Sequence, residues 1–136
     1  MSNILITSAG RRVELVKSFK IESGELDRKP KVFCTDLNPE LSSACQVADL
    51  CFRAPRVTNK EYIGFLKHTC AANSIALIVP TIDTELLLLS EHREQFLDLG
   101  VNIIISEDRR ERKILLDNIV TAISFGNRDD TIRVIL

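Results

Sequence analysis

Five short apolar runs alternate with longer amphipathic stretches, and that rhythm constrains the chain more than any other feature of its sequence. Alternation of this kind marks strand–helix–strand units, in which parallel strands are joined by crossover helices. The runs lie at residues 3–7, 31–35, 50–54, 75–79 and 101–105. Helices are expected between and after them, over about residues 11–23, 41–47, 58–72, 83–99 and 108–121. Residues 75–79, Ile-Ala-Leu-Ile-Val, are apolar without interruption, as in a strand covered on both faces at the centre of a parallel sheet. Right-handed crossovers then predict a doubly wound, three-layer Rossmann-like α/β domain. Its parallel sheet should hold about five strands, in the order 3-2-1-4-5.

Punctuation supports these boundaries. Gly24 and Gly100 stand where helices should stop, Thr58 and Glu61 have the spacing of a capping box, and Ser106 with Glu107 and Asp108 opens the last helix. At 136 residues the chain has room for one core. Its 18 basic and 19 acidic residues lack the positive excess of a protein that lives on nucleic acid or anionic lipid. The longest apolar run falls far short of the roughly 20 residues a membrane span needs, and no secretory signal is visible at the start. The expectation is a cytoplasmic protein with neither nucleic acid nor membrane as partner.

The four cysteines, Cys34, Cys45, Cys51 and Cys70, are unevenly spaced without a C-x-x-C pair and read as buried reduced thiols. No metal site is expected. His68 and Cys70 are the nearest approach to one, and two residues apart on a helix they face different ways. No Ser/His/Asp or Cys/His set is legible either, because His68 and His92 both fall on helices away from the strand ends. No catalytic residue is assigned.

In a doubly wound sheet, ligands bind outside the carboxyl ends of the strands, near the point where strand order reverses. Three segments fall on that edge: residues 7–12, 35–39 and 80–85. Thr7-Ser8-Ala9-Gly10-Arg11-Arg12 sets small residues where backbone amides at a helix start can approach an anion, with the guanidinium groups of Arg11 and Arg12 beside them. A capped helix start with two solvated arginines has the same composition, so both readings stay open. With Gly10 alone, the segment lacks the three glycines of a dinucleotide fingerprint. Asp36 suits a ribose hydroxyl, or equally an Asx turn leading to Pro39. Thr81, Asp83 and Glu85 could hold a substrate ammonium or hydroxyl, or could serve as cap and first-turn acids of the next helix.

Four segments carry a resemblance. N-I-L-I-T-S-A-G-R-R-V-E-L-V at residues 3–16, T-D-L-N-P at 35–39, A-D-L-C-F-R-A-P-R-V-T at 48–58 and I-V-P-T-I-D-T-E-L at 78–86 together resemble the N-terminal, pre-ATP-grasp domain of ATP-grasp ligases, carbamoyl phosphate synthase large-subunit-like proteins in particular. The resemblance covers about residues 3–121. It implies a Rossmann-like domain ahead of the ATP-grasp domains proper, in enzymes that use ATP and Mg²⁺ to join a carboxylate to an amine or thiol through an acyl-phosphate. A carboxylate or amine substrate would then meet Gly10, Arg11, Asp36, Thr81, Asp83 and Glu85. Relatives carry a D-K-x-x-T-like element where this chain reads Asp117-Asn118-Ile119-Val120-Thr121, and residues 122–136 match nothing familiar.

The expectation is therefore a substrate-side domain at residues 1–121 with an unmatched tail, truncated or split from a ligase, not binding ATP and Mg²⁺ fully by itself and served by a separate ATP-grasp chain. An independent nucleotide-binding or regulatory module is the alternative. Four successive leucines add one expectation. Leu86, Leu89, Phe96 and Leu97 supply the apolar face of their helix, which leaves Leu87 and Leu88 for a homodimer contact.

Overall fold

A computed structural model describes residues 3–26 and 29–105. The expected helix over residues 108–121, the Asp117 to Thr121 element and the tail lie outside the described residues. The apolar runs all form strands: β1 (Asn3–Thr7), β2 (Val32–Asp36), β3 (Leu50–Arg53), β4 (Ile75–Pro80) and β5 (Asn102–Ile103). They make one all-parallel sheet in the order β3-β2-β1-β4-β5. Strand β4 lies inside the sheet between β1 and β5, and its side chains enter the cores on both faces, Leu77 and Val79 one and Ile75 and Ile78 the other, which is why its sequence is apolar throughout.

The helices are α1 (Val13–Gly24), α2 (Ser43–Val47), α3 (Tyr62–Ala72), α4 (Asp83–Glu91) and α5 (Arg93–Asp98), with a 3-10 turn at Pro39–Leu41. They divide between the faces of the sheet according to the two-residue period of the strands. Ile4 and Ile6 point to a core shared with Val16 and Phe19 of α1 and with Ala44 and Cys45 of α2. Leu5, between them, joins the opposite core, with Leu66 of α3, Leu89 of α4 and Phe96 of α5. Each fully buried aliphatic side chain of this kind contributes about 1.5 to 3 kcal/mol. Thr7 follows Leu5 by two residues and so faces α4, a point on which the site depends.

Several local expectations need correction. Thr58 does not cap α3. Its N-cap is Glu61, without a side-chain cap, and Asn59 forms an Asx turn ahead of it, its side-chain oxygen accepting from the Glu61 amide at 2.9 Å and its carbonyl from the Tyr62 amide at 3.0 Å. The helix expected over 83–99 is broken at His92, whose ring nitrogen Nδ1 lies 2.9 Å from the Leu88 carbonyl. Cys45 and Cys51 form a disulfide. Helix α2 ends at Val47 and β3 begins at Leu50, so the chain reverses within a few residues and brings the two Cα atoms to 5.3 Å, inside bonding range. Cys34 and Cys70 are buried free thiols, as expected. Leu88 packs against the second core whereas Leu87 is 71% exposed, so only one of the two surplus leucines lacks cover. No helix of the described residues is long and apolar enough to cross a membrane.

Candidate functional site

Strand order reverses between β1 and β4. The chain leaves β1 for β2 on one side and reaches β4 from β3 on the other, so the loops at their carboxyl ends diverge and leave a crevice. A cavity of about 470 Å³ opens there, within the range of small-molecule sites. Leu37, Ala54, Pro55, Val57 and Ile82 give it apolar walls. Its polar lining is Ser8, Asp36, Arg56, Thr58, Tyr62 and Thr84.

The loop after β1 closes on itself. Ser8 and Gly10 both have left-handed backbones, φ 50° and 52°. Such a conformation costs a non-glycine residue about 1 to 2 kcal/mol. Contacts offset that cost at Ser8, where the hydroxyl donates to Glu85 Oε1 and the carbonyl accepts from the Thr81 hydroxyl at 2.6 Å. The Ala9 amide donates to the Thr35 carbonyl at 3.0 Å, Gly10 to Asp36 Oδ1 at 3.2 Å, Arg12 to the Ala9 carbonyl at 3.0 Å and Val13 to the Arg11 carbonyl at 2.8 Å. These amides are spent on the protein itself. Arg12 donates to the Thr81 carbonyl at 2.7 Å, and Arg11 is exposed.

Behind the loop lies a buried carboxylate. Glu85, in the first turn of α4, is 0% exposed. Thr7 donates to its Oε2 at 2.5 Å and Ser8 to its Oε1, so β1 is tied to α4 through both oxygens. A negative charge at a helix start also gains from the helix dipole. Thr81 caps nothing: the N-cap of α4 is Ile82, and the Thr81 hydroxyl is shared between the carbonyls of Thr7, at 2.9 Å, and Ser8. Asp83 is exposed on the same turn.

Asp36 closes the Asx turn and also stands on the cavity wall. Its Oδ2 accepts from the Asn38 amide at 3.0 Å, closing an Asx turn, while Oδ1 holds Gly10. Of the expected site residues it alone lines the cavity, with Gly10, Arg12, Thr81 and Glu85 forming the frame behind it. Arg11 and Asp83 stand outside both groups.

Arg56, Thr58, Tyr62 and Thr84 enter the site unannounced. The rule that pointed to residues 7–12 applies equally to the carboxyl end of the third strand, and that signal would have found Arg56 and Thr58. Tyr62 is 1% exposed, and its hydroxyl makes no hydrogen bond of normal geometry although Glu85 and Ser8 stand beside it. Burial first, and then the Glu85 charge, push its ionisation far above the ordinary tyrosine value, so it remains protonated. Desolvation likewise raises the Cys34 and Cys70 thiols to about 12, with Asp36 and Asp49 adding to the effect at Cys34. Neither thiol is an available nucleophile.

A parallel sheet that winds both ways from its centre, with a pocket at the reversal point, defines a Rossmann-like α/β domain. The chain belongs to the family described as PylC-like, N-terminal domain, whose model matches residues 4–104, and this is a pre-ATP-grasp domain of ATP-grasp ligases. No curated protein matches it.

Proposed function

We propose that this domain is the substrate-side part of an ATP-dependent ligase that joins a carboxylate to an amine or thiol, and that it binds one of those small molecules in the cavity outside the carboxyl ends of β1, β2, β3 and β4. The observation that carries the reading is the cavity itself, set at the reversal point of a domain whose family supplies the ligase context. Glu85, Thr81 and Arg12 act as the frame that fixes the β1 loop, Asp36 and Gly10 join that frame to the cavity wall, and Arg11 and Asp83 stand on the outer rim.

ATP and Mg²⁺, which the family context implies, find a poor fit among the described residues. In the loop before α1 the amides of Ala9, Gly10, Arg12 and Val13 already donate to protein oxygens and would have to be released to receive a phosphate. Among the described residues, moreover, no group of three or more His, Cys, Asp or Glu is placed to hold a metal ion. In this reading both belong to ATP-grasp domains, in the same polypeptide or a separate chain, and the domain does not catalyse ligation alone.

Thermal unfolding of the full chain with Mg-ATP, NAD and a panel of small carboxylates, amines and amino acids tests the proposal. A ligand at about 100 times its Kd stabilises by about 2.7 kcal/mol, which raises Tm by several degrees in a domain of this size. The expected result is a rise with at least one carboxylate or amine and none with the nucleotides. A rise with ATP or NAD alone would favour the independent nucleotide-binding module instead.

A further inference from the structure

We propose that the Cys45–Cys51 disulfide is a thiol-exchange site that sets how firmly Asp36 is held on the cavity wall: a small dithiol opens the bond and loosens the wall, and a small-molecule disulfide closes it again. This control acts on the frame of the cavity, whatever molecule the cavity takes.

Two chains of contacts lead from the disulfide and meet at Asp36. From Cys45 the path runs through α2. The Ser42 hydroxyl, which caps that helix by accepting from the Cys45 amide at 3.2 Å, donates to the Gly10 carbonyl at 2.7 Å, and the Ala44 amide donates to the same oxygen at 3.1 Å. Gly10 in turn donates to Asp36 Oδ1 at 3.2 Å. From Cys51 the path runs along β3 to Ala54, whose amide donates to the Asp36 carbonyl at 3.0 Å. The disulfide closes this ring. Without it the ring depends on α2, a helix of five residues, and on β3, a four-residue strand at the edge of the sheet, and elements so short hold their place weakly by themselves. Ala54, Pro55 and Arg56, which continue β3, line the cavity with Asp36.

A third sulfur decides whether exchange is orderly. Cys34 is the register partner of Cys51 across β2 and β3, and it shares the first core with Cys45 and Cys51. A reactive thiol there would reshuffle the bond. Burial, and then the charges of Asp36 and Asp49, push the Cys34 thiol up to about 12, so almost none of it is the thiolate that attacks a disulfide. Exchange therefore comes from outside, at Cys51, which is partly exposed where Cys45 is buried. A thiolate of the dithiol bonds to the Cys51 sulfur, and Cys45 leaves as a thiolate that takes up a proton. The second thiol of the reagent then loses its proton and displaces Cys51, which is protonated in turn. Two electrons and two protons have passed to the protein, and the reagent leaves as a cyclic disulfide.

The test is amide hydrogen exchange of the full chain, followed residue by residue by NMR, after treatment with oxidised glutathione and again after dithiothreitol. Alkylation of the oxidised chain in denaturant should modify Cys34 and Cys70 only, and Cys45 and Cys51 as well once dithiothreitol has acted. On reduction, exchange at the Gly10, Ala44 and Ala54 amides should quicken at least about tenfold, whereas the Ile104 amide, bonded to the Ile78 carbonyl on the far side of the sheet, should change by less than about twofold. Oxidised glutathione should restore the slow rates. A Cys45→Ser/Cys51→Ser variant should exchange like the reduced chain and ignore dithiothreitol, and Cys34→Ser should keep the full response. Equal exchange in the two states, an acceleration that spreads equally to Ile104, four free thiols in the oxidised chain or a bond mapped to Cys34 would overturn the proposal.

Discussion

The loop after β1 and the segment after β3 stand on the same rim of the sheet, yet they use their polar groups in opposite ways. In the first, the amides of Ala9, Gly10, Arg12 and Val13 are all bonded to neighbouring oxygens, Arg12 is bound to the Thr81 carbonyl, and Ser8 is bound to Glu85. In the second, the turn into α3 is closed by backbone groups and the Asn59 side chain, the Asn59 amide donating to the Arg56 carbonyl at 2.9 Å, and Arg56 and Thr58 line the cavity with no side-chain hydrogen bond among the described residues. The comparison teaches that a loop of small residues and arginines is not a binding loop by composition. What counts is whether its donors remain after the fold has been satisfied. The β1 loop is tied into the fold, and the segment after β3 contributes Arg56 and Thr58 to the cavity wall.

If that division holds, substitutions in the tied loop and its partners should cost stability and those in the β3 segment should not. Glu85→Ala should show the largest effect, about 3 kcal/mol in urea unfolding, because it leaves the buried Thr7 hydroxyl and the Ser8 hydroxyl without their charged acceptor. Glu85→Gln, which keeps the shape, should lose roughly half as much. A loss below about 1 kcal/mol for the alanine variant would mean that the carboxylate is not the tie between β1 and α4.

Thr81→Val comes next, at about 1.5 kcal/mol, since it deletes the donor shared by the Thr7 and Ser8 carbonyls without changing volume greatly. Gly10→Ala should cost about 1 kcal/mol. The added Cβ would lie 3.8 Å from the Ser8 carbonyl oxygen, an ordinary contact, so the cost comes from the left-handed backbone at φ 52° and not from a clash. Arg56→Gln should change stability by less than about 0.5 kcal/mol, as for an exposed side chain with no partner to lose. A large loss there would make Arg56 one of the ties and erase the contrast.

The sheet and its order were legible because the apolar runs are short, separate and bounded by turn residues, so tertiary context had little to override. Smaller features depended on competition that spacing does not reveal. Thr58 and Asn59 are adjacent and both can bond a nearby amide, and the asparagine is the one that closes a turn onto the Glu61 amide ahead of α3. The Cys45–Cys51 bond required knowing how sharply the chain turns between α2 and β3. The site was legible as an edge of the sheet but not as a set of side chains. Glu85 read as a substrate-facing residue or a first-turn acid, and the two-residue period that turns Thr7 toward α4 is what brings it into a buried tie. Arg56 passed unnoticed because its segment carries no small-residue pattern, although it occupies the same rim.

The most direct test of the contrast is a backbone amide NMR titration of the full chain with the small carboxylate or amine that raises Tm most. The account predicts that the amides of Arg56, Val57 and Thr58 shift with saturation, while those of Gly10, Arg11, Arg12 and Val13 move little. Shifts concentrated at Gly10 to Val13, with Arg56 to Thr58 unmoved, would contradict it and return the ligand to the β1 loop.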